Sequence, residues 1–177
     1  MDNKFPKRKH IRLSNFDYSQ KGYYFITVCT RERREILSRI LIEDGVSVGR
    51  DDPGTPIPNK IISQLTEYGK IIEKYINKIS EHYENIVIDK YVIMPDHIHL
   101  LIIIDDKKRR AESSRPTRTS LSQVIAVFKR LINKEIGKNL FQASFYDHII
   151  RDEEDYKTRW EYIDTNPARW YEKNNPF

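Results

Sequence analysis

Residues 91–104 read YVIMPDHIHLLIII, two apolar runs parted by Met94, Pro95 and Asp96. Proline and aspartate at that break suit a short turn between antiparallel neighbours. The β-branched stretches on either side, NIVIDKYVIM at 85–94 and HIHLLIII at 97–104, read as paired strands. Side chains alternate along a strand, so His97 and His99 point the same way as Leu101 and Ile103. Ile98, Leu100, Ile102 and Ile104 take the other face.

Working outward, GYYFITVCT at 22–30 is a further aromatic and β-branched strand, and 31–42 reads as a turn region. The Gly- and Pro-bearing GVSVGRDDPGTPIP at 45–58 is a long loop. Ile61, Ile62, Leu65, Tyr68, Ile72, Tyr75, Ile76 and Ile79 recur at three and four, which predicts an amphipathic helix over 60–79 with Asn59 as its cap. Ser120 and Gln123 make a capping-box pattern. A stripe of Leu121, Val124, Ile125, Phe128, Leu131, Ile132 and Ile136 then runs to Gly137. FQASFYDHII at 141–150 reads as extended, and an acid-started helix over 152–165 is predicted to end at Asn166-Pro167. This order fits one α+β sandwich domain over 1–177, a mainly antiparallel sheet carrying the His-x-His strand with helices on one face.

Composition narrows the setting. A chain of 177 residues buries a sizeable core without staples, and Cys29 is its single cysteine, so no intrachain disulfide forms. The longest apolar run, LLIII at 100–104, is far short of a bilayer span of roughly 20 residues, and MDNKFPKRKH leads into no signal-peptide core. The expectation is a soluble, cytoplasmic protein without membrane association. Of the net charge of +5, residues 1–12 carry +4 and residues 107–118 carry +5, leaving −4 for the remainder. A basic N-terminal arm, 1–12, and a flexible basic linker, 105–119, suit a polyanion partner; the plainer alternative is two solvated segments.

Neutral imidazole is the commonest protein metal ligand, and two on one strand face supply adjacent coordination positions. The alternative is a pair of half-buried histidines bonded to backbone. With neither cysteine nor a third histidine nearby, a closed zinc site does not fit, whereas an open site completed by oxygen ligands suits Mg²⁺ or Mn²⁺. Nucleotide hydrolases of the histidine-triad kind need a third histidine where Leu101 stands.

Four blocks then carry a resemblance: GYYFITVCTRERR at 22–34, VIMPDHIHLLI at 92–102, FYDHIIRDEEDY at 145–156 and YIDTNPARW at 162–170. Together, in this order, they resemble the REP-associated tyrosine transposases, members of the HUH single-tyrosine nucleases related to insertion-sequence transposases. The resemblance implies a ferredoxin-like or RRM-like sandwich with the catalytic tyrosine on a C-terminal helix. It implies cleavage of single-stranded DNA near a hairpin through a 5′-phosphotyrosine, releasing a 3′-OH. Tyr162 takes the place of the nucleophile, and Asn166, four residues on, that of a third metal ligand beside His97 and His99. Mg²⁺ or Mn²⁺ is then the expected cofactor, with no small-molecule cofactor, single-stranded or hairpin DNA as partner, and a monomer favoured over a dimer.

Helical spacing agrees with that mapping. Tyr156, Trp160 and Ile163 form the expected buried stripe, Tyr162 lies about 100° off Ile163, and Tyr162 and Asn166 share a face. An amide is a weaker cation ligand than a carboxylate, which leaves Asp96 or Glu161 as substitutes. A free phenol has a pKa of about 10, so the reaction needs help at the phosphate, which a divalent cation supplies as a Lewis acid. Arg8, Lys9, Arg12, Lys108, Arg109, Arg110, Arg115 and Arg118 would follow the DNA backbone, and Tyr23, Tyr24 or Phe25 either stack on bases or belong to the core. His148 and Arg151 read as structural or as phosphate contacts. Two rival functions stand beside the transposase: a non-catalytic hairpin-binding regulator, and a phosphoester hydrolase that converges on this spacing.

Overall fold

A computed structural model describes residues 17–43, 60–105 and 120–175. The basic arm 1–12, the loop at 45–58 and all of the linker 105–119 but Asp105 lie outside the described residues, and with them every proposed DNA-backbone contact from Arg8 to Arg118.

The described chain runs β1 (Gly22–Cys29), a short 3-10 turn (Arg31–Arg33), β2 (Ser38–Glu43), β3 (Lys60–Leu65), α1 (Glu67–His82), β4 (Ile86–Ile93), β5 (His97–Ile104), α2 (Leu121–Ile136), β6 (Tyr146–Ile150) and α3 (Glu153–Asn174). Its main sheet has the order β4-β5-β1-β6, with every neighbouring pair antiparallel. Since β1 and β4 both oppose β5, they are parallel to each other with β5 between them, and α1 lies on the connection. That is the split βαβ arrangement of the ferredoxin-like sandwich, into which β2 and β3 are inserted as a separate antiparallel hairpin.

Two expectations about element boundaries are corrected here. The helix predicted over 60–79 is a strand followed by a helix, because Ile61 and Ile62 pair with Ile42 and Leu41 of β2, inside the stretch read as a turn region. Thr66, not Asn59, caps α1: its Oγ1 accepts from Gly69 N at 3.2 Å. The predicted stop at Asn166-Pro167 is also overridden. α3 continues through Pro167 to Asn174, although proline withholds the N–H that the Ile163 carbonyl would receive. The capping box at Ser120 and Gln123 and the left-handed Gly137 end α2 as expected.

Alternation along β5 builds both layers. Ile98, Leu100, Ile102 and Ile104 join the main core with Ile72, Ile76, Val124, Ile125 and Phe128 of α1 and α2. On the other face, Leu101 meets Phe25, Ile150 and Ile163 in a smaller cluster edged by Val92, Tyr156 and Tyr162. The helices therefore do not all lie on one face: α3 covers the sheet surface opposite α1 and α2. A bulge in β4 between Ile88 and Lys90 explains how α3 is tied down, since an inserted residue re-aims its neighbours. Asp89 accepts from the Tyr156 hydroxyl at 2.5 Å, and the adjacent Lys90 pairs with Asp164 at 2.6 Å. Of the expected stripe on α3, Ile163 is buried and Tyr156 half-buried, but Trp160 is exposed, with the Lys90 ammonium over its ring. Among the described residues no helix is long and apolar enough to cross a membrane.

Candidate active site

His97 opens β5, and His99 sits opposite Thr27 in the β1 register, so both rings lie on the sheet face that α3 covers. Both are buried. Each ring is held by its inner nitrogen: His97 Nδ1 hydrogen-bonds the Asp96 carboxylate, and His99 Nδ1 lies 2.9 Å from Thr27 Oγ1. With protons on Nδ1, both Nε2 lone pairs turn towards one point, 3.0 Å apart. Lone pairs at that distance repel unless a proton or a cation lies between them.

The donor set fits a divalent cation. Two ligands at right angles, each about 2.1 Å from the ion, stand about 3.0 Å apart. Carboxylate support of a metal-binding histidine through its other nitrogen is the usual outer-shell arrangement. Among the described residues no three His, Cys, Asp or Glu side chains gather at one point, so a third ligand among them has to be of another kind. Asn166 is that kind: it is buried, lines the same cavity as the two histidines, and its amide makes no hydrogen bond within the described residues. Of the substitutes, Asp96 stands behind His97, and Glu161 is exposed on α3.

The electrostatics follow from burial and neighbours. Burial, with smaller contributions from the charges of His97 and Arg33, pushes His99 down to about 3, so it is neutral and free to ligate at physiological pH. Burial alone would raise Asp96. The hydrogen bond and charge of His97, together with Arg33, outweigh it and hold this carboxyl below the usual carboxylate range. Arg33 Nη1 donates to Asp96 Oδ2 at 3.2 Å, and the Asp96 carbonyl accepts from Thr30 N and Oγ1 at 2.9 and 3.0 Å. Arg33 and Glu32 both have positive φ, 53° and 59°. Two successive non-glycine residues in that region are costly, and such strain persists where the surroundings over-determine it.

Tyr162 is half-buried and lines the same cavity, which has a volume of about 430 Å³. Its ring stands edge-on to His99 at 5.2 Å and to Phe25 at 5.9 Å, with the Arg169 guanidinium 5.6 Å from its centroid. The fold thus brings His97, His99, Tyr162 and Asn166 to one cavity from two elements distant in sequence.

His148 and Arg151 do not join them. His148 Nε2 lies 2.6 Å from Asp155 Oδ2 and so ties β6 to α3, while Arg151 is exposed at the far end of the sheet. Of the aromatic trio, Tyr24 is fully buried in the main core, Phe25 is buried under α3 and Tyr23 is exposed. Sequence reasoning missed Arg33, Thr27, Arg169, Trp170 and Lys173, all of which line the cavity. Three of these were legible in principle: residues 162, 166, 169, 170 and 173 follow helical spacing, a signal hidden by ending the helix at Pro167.

No family model matches the chain. An uncharacterized protein of Haemophilus influenzae is 27% identical over 179 aligned positions, covering 92% of this chain and 89% of that protein. A second protein of that organism, described provisionally as a REP-associated tyrosine transposase, is 25% identical over 166 positions, 89% of this chain and 77% of its own length. The chain is related to the REP-associated tyrosine transposases. A solved REP-associated tyrosine transposase bound to a REP hairpin superposes with a TM-score of 0.55 at 20% identity, over 89% of this chain and 73% of that one. That likeness shows that the two chains share a fold.

Proposed function

We propose that this chain is a metal-assisted single-tyrosine DNA endonuclease and transposase that cuts and joins single-stranded or hairpin DNA. The observation that carries the reading is the meeting of Tyr162 with His97, His99 and Asn166 at one cavity, where Arg33, Arg169 and Lys173 add positive charge. The kinship with REP-associated tyrosine transposases supports it, and the solved relative's REP hairpin makes hairpin DNA the first substrate to try.

In this mechanism a scissile phosphate enters the cavity and is held by Arg33, Arg169 and Lys173, whose charges favour an anion in a partly desolvated setting. A Mg²⁺ or Mn²⁺ ion on His97, His99 and Asn166 would polarise the phosphate as a Lewis acid. The Tyr162 oxygen attacks phosphorus and gives up its proton to solvent. As the new P–O bond forms, the bond to the 3′ oxygen breaks, and that oxygen takes a proton from solvent and leaves as a 3′-OH. The 5′-phosphotyrosine keeps the bond energy, so a second 3′-OH can reverse the step without ATP.

The test uses labelled hairpin DNA from the repeats flanking the gene, with Mn²⁺. Wild type forms a denaturation-resistant adduct, and Tyr162→Phe loses it by at least about a thousandfold, as expected for removal of a nucleophile. Equal adduct from both proteins sinks the reading, and hairpin binding without any wild-type adduct points to a regulator.

A further inference from the structure

Beside the histidine cavity lies a second one, about 380 Å³, lined by Glu35, Ser38, Arg39, Ile40 and Pro95 on one side and by Trp170, Tyr171 and Asn174 of α3 and its cap Asn175 on the other. Its size is that of a small-ligand site. Trp170 lines both cavities, and its ring stands 5.9 Å from that of His97. We propose that this second cavity receives a base of single-stranded nucleic acid, stacked on Trp170 and Tyr171, while the neighbouring phosphate occupies the histidine cavity.

Three observations support that occupant. The charge is complementary to a polyanion: Arg33, Arg39, Arg169 and Lys173 line the two cavities, against Glu35 and the buried Asp96. Arg39, Arg169 and Lys173 make no ion pair within the described residues, and Arg169 lies over the Tyr162 ring. The aromatic wall is half-exposed rather than packed away, and indole and phenol faces stack on any base. Two lining amides are held in place: Asn174 and Asn175 each donate Nδ2–H to a helix carbonyl, Trp170 O at 2.9 Å and Tyr171 O at 3.0 Å. Each Oδ1 is left as an acceptor for a base edge. The continuation of α3 beyond Pro167 creates this wall, since Trp170, Tyr171 and Asn174 lie in that added stretch and Asn175 caps it.

The inference rests on the proposed function for its choice of ligand, so its test measures binding alone. Trp160→Phe leaves Trp170 as the single tryptophan of the chain's two, and Tyr162→Phe with a chelator prevents cleavage. Tryptophan fluorescence of this protein is titrated with a dT 12-mer and with an abasic 12-mer of the same backbone. The expected result is quenching by the dT 12-mer, no quenching by the abasic strand, and about tenfold weaker binding of the latter. Tyr171→Ala should weaken the dT 12-mer about tenfold and leave the abasic strand unchanged. The exposed Arg39→Ala should weaken both and lower the salt slope by about one. Equal quenching or equal affinity for the two strands overturns the proposal, as does an Arg39→Ala protein that binds both as wild type does. Because no cleavage is involved, failure of the adduct experiment leaves this result readable, and loss of the stacking signal leaves the phosphotyrosine reading standing.

Discussion

Asp96 joins the functional and structural demands of the site in one side chain. It bonds His97 Nδ1, receives Arg33, and its carbonyl is pinned by Thr30. Replacing it with asparagine keeps the volume but removes the charge that fixes the His97 tautomer. Outer-shell changes of this kind cost about 10–100-fold in metal affinity or activity. Asp96→Asn should therefore slow adduct formation by that factor at low Mn²⁺, with partial recovery as Mn²⁺ is raised; unchanged rates at all concentrations would remove Asp96 from the argument. At the other end of the sheet, Asp155 is held by His148 and by Arg159 Nε at 3.1 Å. Burial would raise this carboxyl, but those two partners keep it below the usual carboxylate value. A lowered folded-state pKa gives stability that is present above the unfolded value and lost as pH falls through the folded one. Asp155→Asn should thus cost about 0.5–1 kcal/mol at pH 7, a modest figure because the pair is partly exposed. The gap to wild type should close below about pH 4. Urea midpoints at pH 7 and pH 3 decide this, and a gap of the same size at both would show that the charge is irrelevant.

The start of α1 shows how closely one element leans on another. Thr66 caps the helix, while its N and Oγ1 both donate to the Leu37 carbonyl, at 3.0 and 2.9 Å. Gly69, one turn in, lies against the same carbonyl, and a Cβ built there would stand 2.2 Å from Leu37 O. Alanine normally favours a helix over glycine, but here the backbone beside it has to move. Gly69→Ala should destabilise by about 1–3 kcal/mol, seen as a lower urea midpoint. A stabilised variant would mean that the β2 hairpin and α1 separate without penalty. Pro167 teaches the converse: α3 carries a local breaker in its interior, and the residues beyond it, Trp170 and Tyr171, face Arg39 and Ile40 of β2 and Pro95 across a cavity.

Across the whole molecule the two faces of the sheet are unequally held. The main core has buried contributions from α1, α2, β1, β4 and β5, whereas α3 rests its Ile163 on Phe25, Leu101 and Ile150, with polar ties at its flanks. Small apolar contact means a low local opening free energy. Amide exchange in α3 should follow a sub-global opening well below the global unfolding free energy, while β5 amides exchange only on global unfolding. Equal protection of both would show α3 to be part of one cooperative unit. The consequence for function is that half of the candidate site, Tyr162 and Asn166, rides on the less firmly held layer.

Local patterns in the chain were enough for the strands at 85–94 and 97–104, the capping box of α2, the shared face of His97 and His99, and the shared face of Tyr162 and Asn166, because alternation and helical spacing are properties of neighbouring residues. They misled at 60–65, where apolar spacing suits a helix as well as a strand and the ladder partner at 38–43 lies across a long loop. They also misled at Pro167, where a local breaker does not end the helix. Which face of the sheet receives α3, that Thr27 stands behind His99, and that Arg33 stands behind Asp96 are facts of strand register and docking. No window of sequence contains them, since they come from pairings between residues more than 60 positions apart. The sequence by itself determined the parts of the site; the order of the strands and the seating of α3 decided that those parts meet.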